Sequence, residues 1–171
     1  EALEYTLKIK IADIESTSAE VTNAAYYQEI VLKISKTAEK KKESVLLTNV
    51  KDWIFTFMTG VENSASNSVA GTGTNDVATN GVPFWLTVDF KEVKNVTGVQ
   101  TTHWGAGYAP SKVEIFSSEN GDDWVSIGQW DTKGRTQTIT FDERVKTRYL
   151  KYQMITVPSR VDITRFYIYA W

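Results

Sequence analysis

Polar and apolar residues alternate with a period of two along most of this 171-residue chain, the pattern of pleated strands that bury one face. The alternation is cleanest at the start, where Leu3, Tyr5, Leu7, Ile9 and Ile11 interleave with Glu4, Thr6, Lys8 and Lys10. That stretch predicts a half-buried strand, followed by a polar turn over residues 13–18 and a short return strand over 19–22. Residues 26–34 fit two periods: Gln28, Ile30, Leu32 and Ile34 alternate, while Tyr27, Ile30, Val31 and Ile34 also share a helical face. Their β-branched content favours a strand. Trp53, Phe55 and Phe57 alternate with Ile54 and Thr56. Residues 60–81 are rich in Gly, Ser, Thr and Asn and carry no period, which predicts a loop or set of loops.

The strongest strand signals follow. Trp85, Thr87 and Asp89 alternate with Leu86, Val88 and Phe90, and a second strand is expected through Val96, Val99 and Thr102. A third covers residues 112–117, and Glu119-Asn120-Gly121-Asp122 then predicts a hairpin turn, because Asn-Gly accepts the positive φ such turns need. Further strands are expected over 125–130, 136–141 and 147–154, separated by turns at Lys133-Gly134 and Asp142-Glu143-Arg144. A loop over 155–162 leads to a closing strand over 163–169. No helix is expected after Val45.

In order and spacing, WLTVDF, VTGVQ, APSKVEIFSSENGDDW and TRYLKYQM resemble the discoidin-like domain, also called coagulation factor V/VIII type C. Family 32 carbohydrate-binding modules share its fold and are of the kind appended to bacterial chitobiase-like glycan-processing proteins. The resemblance runs from about Trp53 to Trp171 and is carried mainly from Phe84 onward. It implies an all-β, discoidin-like (galactose-binding-like) β-sandwich jelly roll. Residues 49–171 are the expected sandwich, and residues 1–48 either add strands to it or belong to a neighbouring domain.

Size and composition fit that expectation. A chain of 171 residues matches one domain at about 100–200 residues each. Six Trp, eight Tyr and seven Phe suit the layer between two sheets, where flat rings pack well. The formal charge of −2 argues against a nucleic-acid partner, since such proteins carry a basic face. The one charge run, Lys36 to Lys42 with Lys40-Lys41-Lys42 at its centre, is diluted by Glu39 and Glu43 and reads as a solvated loop rather than an anion-binding surface. With no cysteine, disulfides and thiolate metal sites are excluded. No apolar run approaches the ~18–20 residues of a membrane span, so no membrane insertion is expected. The chain opens within a strand pattern and without a signal peptide. It therefore reads as part of a longer protein with its neighbouring domains as partners, and the resemblance implies a secreted, periplasmic or cell-surface location.

Catalytic signals are sparse. There is one histidine, and no Gly-x-Ser-x-Gly elbow, His-Glu-x-x-His pair or phosphate-binding glycine loop. Asp122-Asp123 are adjacent in a turn and point apart, so they cannot flank one glycosidic bond. A binding role is expected instead, and the resemblance implies an oligosaccharide or polysaccharide as ligand. The resemblance places the sugar-contacting end at the loop holding His103, Trp104 and Tyr108, with a second contact at Arg160 in the loop before the last strand. Each has a competing structural role: Trp104 as a core plug, His103 as an internal hydrogen-bonding group, Tyr108 as a cap, Arg160 as the surface partner of Asp162. The family's structural calcium ion draws on an Asp-Gly turn, a Thr-x-Trp segment and a glutamate near the final strand. This chain lacks the first two and has Thr164 in the third place. Asp76 and Asp162 alone fall short of the six to eight oxygens calcium takes, so neither metal nor cofactor is expected. The alternative to a sugar-binding module is a structural or protein-interaction spacer.

Overall fold

The computed structural model describes residues 3–10, 29–36, 42–65, 68–70 and 76–171, the first two segments by backbone alone. The chain divides into two units, Glu1–Lys42 and Glu43–Trp171. In the first, β1 (Leu3–Lys10) pairs antiparallel with β2 (Glu29–Lys36), in a register running from Leu3 opposite Lys36 to Lys10 opposite Glu29. The ambiguous segment is thus a strand from Glu29 onward. The expected turn over 13–18, the return strand over 19–22, most of the lysine run and the burial of the Leu3–Ile11 face lie outside the described residues.

The second unit opens with β3 (Val45–Leu47), which pairs with the chain's last strand, β11 (Arg165–Ala170). Between them lie β4 (Ile54–Phe57), β5 (Val77–Thr79), β6 (Trp85–Thr102), β7 (Lys112–Ser118), β8 (Val125–Asp131), β9 (Thr136–Thr156) and β10 (Val161–Ile163). The main sheet runs β3-β11-β6-β9-β7-β8 with β4 also on β6, and β5 pairs with β10 in a small separate sheet. All pairings are antiparallel.

Two strand pairs expected from the pattern are single long strands. β6 joins the segments read as 85–90 and 96–102, and β9 joins 136–141 with 147–154. Register shifts between Asp89 and Lys94, and again between Val96 and Gly98, bend the two strands together. Extra residues without a cross-strand partner sharpen local bending and twist. The N-terminal half of β6 pairs with β4 and the C-terminal half of β9, whereas its C-terminal half pairs with β11 and the start of β9. One pair of strands therefore serves both layers of a β-sandwich. The Asp142-Glu143-Arg144 turn is the bulged part of β9.

The inward face follows the alternation. Leu86, Val88, Phe90, Val96, Val99, Val113, Ile115, Leu150, Tyr152, Met154, Phe166 and Ile168 are all buried. Phe166 meets both Phe55 and Tyr152 edge-on, at 6.0 and 5.9 Å between ring centres, and Trp53 meets Phe90 at 4.8 Å. Burial also raises the Tyr152 phenol pKa. At the 119–122 hairpin Gly121 has φ +88°, and Asn120 Oδ1 accepts from the amides of Asp122 and Asp123. The aperiodic stretch over 60–81 hides β5, too short to show a period, and the expected loop over 155–162 contains the end of β9 and most of β10.

Candidate functional site

The loop over residues 103–111 leaves β6 beside the start of β11, where the Thr164 amide donates to the Thr102 carbonyl at 2.8 Å. His103, the first residue out, is fully buried, at 0% exposure. Its Nδ1 lies 2.5 Å from the Asp162 carbonyl oxygen and its Nε2 3.2 Å from Thr101 Oγ1. A carbonyl only accepts, so Nδ1 carries the proton and Nε2 accepts from the Thr101 hydroxyl. Burial pushes the imidazole pKa below its ordinary value and holds it neutral. The expectation that His103 touches a ligand is therefore corrected. With no surface to offer, its ring anchors the loop from beneath.

Trp104 is turned the other way and is 62% exposed, so it is no core plug. Its backbone is nevertheless held firmly. Its amide donates to Asp162 Oδ1 at 2.9 Å, and the preceding carbonyl, that of His103, accepts from Arg135 Nε at 3.2 Å. The indole is thus an exposed ring on a fixed base. A 3-10 turn over Ala106–Tyr108 follows, closed by the Tyr108 amide on the Gly105 carbonyl. Tyr108 is 41% exposed and its ring covers Gly105, where a Cβ would lie 3.5 Å from Cδ2.

Arg160 stands immediately before β10. It does not pair with Asp162 as the sequence allowed. Its Nη1 donates to Asn80 Oδ1 at 3.1 Å, and its Nη2 bonds Glu62 Oε2 at 3.1 Å and Asp76 Oδ2 at 3.2 Å. One partly exposed guanidinium thereby ties together two segments of the loop region before β6.

Asp162 links the two sides. It is 1% exposed, holds Trp104 through Oδ1, and its Oδ2 has no hydrogen-bond partner among the described residues. Burial raises its pKa to about 6, against the opposing effect of the Trp104 amide. Asp162 thus bonds both the Trp104 amide and the His103 ring, Tyr108 lies four residues beyond Trp104 on the same loop, and Arg160 precedes Asp162 by two residues. Sequence reasoning missed Glu62, Asp76 and Asn80 as partners of Arg160, and Arg135 as a brace for the His103 carbonyl. Those residues sit in an aperiodic loop and a tight turn, where no pattern signals a long-range contact.

The donor set does not fit the calcium ion that the fold family implies. Asp76 is engaged by Arg160, the Thr164 hydroxyl donates to the Thr102 carbonyl, and the described residues contain no cluster of three acidic, His or Cys side chains suited to a metal. No helix among them is long and apolar enough to cross a membrane.

A sandwich of antiparallel strands, two of them bent to serve both layers, with exposed aromatic residues on its end loops, defines the class of this protein. The F5/8 type C domain model matches residues 56–166, and the chain belongs to that family. Its fold is similar to the family 32 carbohydrate-binding module of NanJ from Clostridium perfringens, solved with galactose: 21% identity, TM-score 0.58, 74% of this chain and 98% of that one. Another module from the same organism, CpGH89CBM32-5, was solved with GalNAc-β-1,3-galactose. It is 17% identical at TM-score 0.60, over 72% of this chain and 99% of that one. The C-terminal domain of a chitobiase from Bacteroides fragilis is 15% identical at TM-score 0.62, over 74% and 98%. No curated protein sequence matches the chain.

Proposed function

We propose that this chain is a non-catalytic carbohydrate-binding module of a larger secreted or cell-surface glycan-processing protein, and that Trp104, Tyr108 and Arg160 contact the sugar. The observation that carries the reading is the exposure of Trp104, at 62%, on a backbone pinned by Asp162 and Arg135. Sugars present C–H faces that stack on aromatic rings and hydroxyls that need donors. A ring held in place before binding loses little freedom when the ligand arrives. Tyr108 stands on the same loop, and Arg160 supplies hydrogen-bond donors from the neighbouring one. Family membership and the two sugar complexes among the structural neighbours support the same reading. His103 and Asp162 act as positioning residues.

The test is calorimetric titration with galactose and GalNAc-β-1,3-galactose, preceded by a glycan array on the whole chain. A single shallow site binds with about −4 to −8 kcal/mol, so millimolar ligand is required. Trp104→Ala is expected to abolish binding while changing stability by no more than about 0.5 kcal/mol, as for other exposed positions. Arg160→Ala is expected to weaken binding several-fold. If Trp104→Ala unfolds the domain, or leaves glycan binding intact, the site assignment fails. If the intact chain binds no glycan, the spacer reading replaces this one.

A further inference from the structure

The buried positions of β6 and β9 change character toward the loop over residues 103–111. In β9 they run Phe141, Ile139, Gln137, and in β6 they run Val99, Thr101, with His103 just past the strand. Three polar side chains thus stand where the period-two pattern calls for apolar ones, and none is more than 3% exposed. Departures from a local pattern of this kind are expected at functional or strained sites. Thr101 and His103 bond each other, and His103 bonds the Asp162 carbonyl. Gln137 reaches the far end of the loop. Its Nε2 donates to the Pro110 carbonyl at 2.9 Å, and its Oε1 accepts from the Tyr152 hydroxyl at 3.5 Å. The Thr132 hydroxyl donates to the same Pro110 carbonyl at 2.9 Å. Ser111 follows, its amide on the Thr156 carbonyl and its own carbonyl taking the Thr132 amide. Within residues 105–109 the Tyr108 amide donates to the Gly105 carbonyl at 3.1 Å, a local bond that does not tie the turn to the strands.

We propose that Gln137 is a positioning residue for the glycan site: its bond to the Pro110 carbonyl sets the end of the loop that carries Tyr108, as Asp162 sets the end that carries Trp104. The inference rests on the carbohydrate-binding reading and extends it to a buried residue that touches no ligand. A loop fixed at both ends offers Trp104 and Tyr108 in one arrangement, so less ordering is required when the sugar binds. An amide suits the place, because it gives a donor to a carbonyl, which only accepts, and an acceptor to the Tyr152 hydroxyl. An apolar side chain of similar length fills the same space without orphaning either partner. The Pro110 carbonyl keeps the Thr132 hydroxyl, and the Tyr152 hydroxyl keeps its bond with Thr101. Losing a buried polar side chain is costly chiefly when its partner is left unsatisfied. The fold is therefore expected to tolerate the change while the loop does not, which separates a positioning role from a structural one.

The experiment compares the full chain with Gln137→Met by thermal melts, amide hydrogen exchange, and calorimetric titration with galactose and GalNAc-β-1,3-galactose. The variant is expected to melt within a few degrees of the intact chain. Its Tyr108 amide is expected to exchange at least about tenfold faster, while the Ile115 amide in β7 keeps its rate. Affinity is expected to fall at least about fivefold, the ordering of one or two side chains at the site. Thr132→Val removes the other donor to the Pro110 carbonyl from a half-exposed position and is expected to act in the same direction by a smaller factor. The two changes together are expected to cost more than the product of their separate losses, since the carbonyl then has neither partner. Unchanged affinity in Gln137→Met overturns the proposal, as does a loss of affinity with the Tyr108 amide unmoved or with exchange faster throughout the sheet. Should Gln137→Met fail to fold, Thr132→Val carries the test, and no change in its affinity or its Tyr108 exchange overturns the proposal. If the intact chain and Gln137→Met bind equally well, the positioning role fails alone. If the intact chain binds no glycan, the carbohydrate-binding reading fails and takes this one with it.

Discussion

His103 and Trp104 are neighbours in sequence with opposite environments, and Asp162 is the reason. Its backbone carbonyl takes the proton on His103 Nδ1 while its side chain takes the Trp104 amide. One residue thus holds the imidazole in and the indole base in place. The cost falls on the carboxyl group itself, which is buried with Oδ2 unpartnered among the described residues. Its pKa is about 6 in the fold against an ordinary 3.8, so between those values the folded chain binds the proton that the unfolded chain has released. Asp162 therefore stabilises the fold less as pH rises from about 4 to about 6. His103 acts in the opposite sense: its lowered pKa withdraws stability as pH falls below its ordinary 6.5. Comparing Asp162→Asn with the intact chain isolates the first effect. The amide keeps an acceptor for Trp104 and never ionises. Near pH 4 the two proteins are expected to melt alike, and by pH 7 the variant is expected to be the more stable, by up to about 3 kcal/mol. A stability difference that does not grow with pH in denaturant titrations would show that the carboxyl group is better solvated than its burial indicates.

At the scale of the element, the bends in β6 and β9 create the sandwich, and each has a residue suited to it. Lys91 takes a left-handed φ of +67° at the first bulge, and its amide donates to Asp89 Oδ1 at 2.7 Å. Arg148 closes the bulge from β9 with two bonds to the Asp89 carboxylate, at 2.9 and 3.0 Å. The Arg148 bonds chiefly, with burial opposing them, hold the Asp89 pKa near 2. Its contribution to stability is therefore present above about pH 4 and is lost as pH falls toward 2. After the second bulge, Gly98 faces Thr140 across the ladder, and a Cβ there would lie 2.4 Å from the Ile139 carbonyl oxygen. Backbone must move to admit it. Gly98→Ala is expected to cost about 1–3 kcal/mol, the usual range for overpacking a filled interior. A melt within a degree of the parent chain would mean that β6 and β9 shift apart more easily than their pairing implies.

For the whole molecule, the relevant comparison is between a cation supplied by the chain and one supplied from solution. The loops before β6 bring Glu62, Asp76 and Asn80 together, and Arg160 supplies the positive charge that holds them. A guanidinium already bonded to these oxygens competes with calcium for them. Excess chelator is accordingly expected to leave the melting temperature of the full chain unchanged. A drop of several degrees, restored by added calcium, would place a cation outside the ligands considered.

What was legible in the sequence depended on local chemistry. Alternation in 85–90, 112–117 and 147–154 specified strands and their buried faces, because side-chain direction in a strand has a period of two whatever the strand pairs with. Asn120-Gly121 specified its turn because few residues accept a positive φ. Motif order carried the family. The tertiary structure alone decided that two apparent strands are one bent strand, since a bulge depends on the partner's register. It decided that β5 exists, because three residues have no readable period without β10 beside them. It also sorted the candidate site, burying His103, exposing Trp104 and giving Arg160 to Glu62 and Asp76 rather than to Asp162. Those outcomes turn on contacts between residues far apart in the chain: 59 positions from His103 to Asp162, 98 from Arg160 to Glu62. No local pattern encodes such distances.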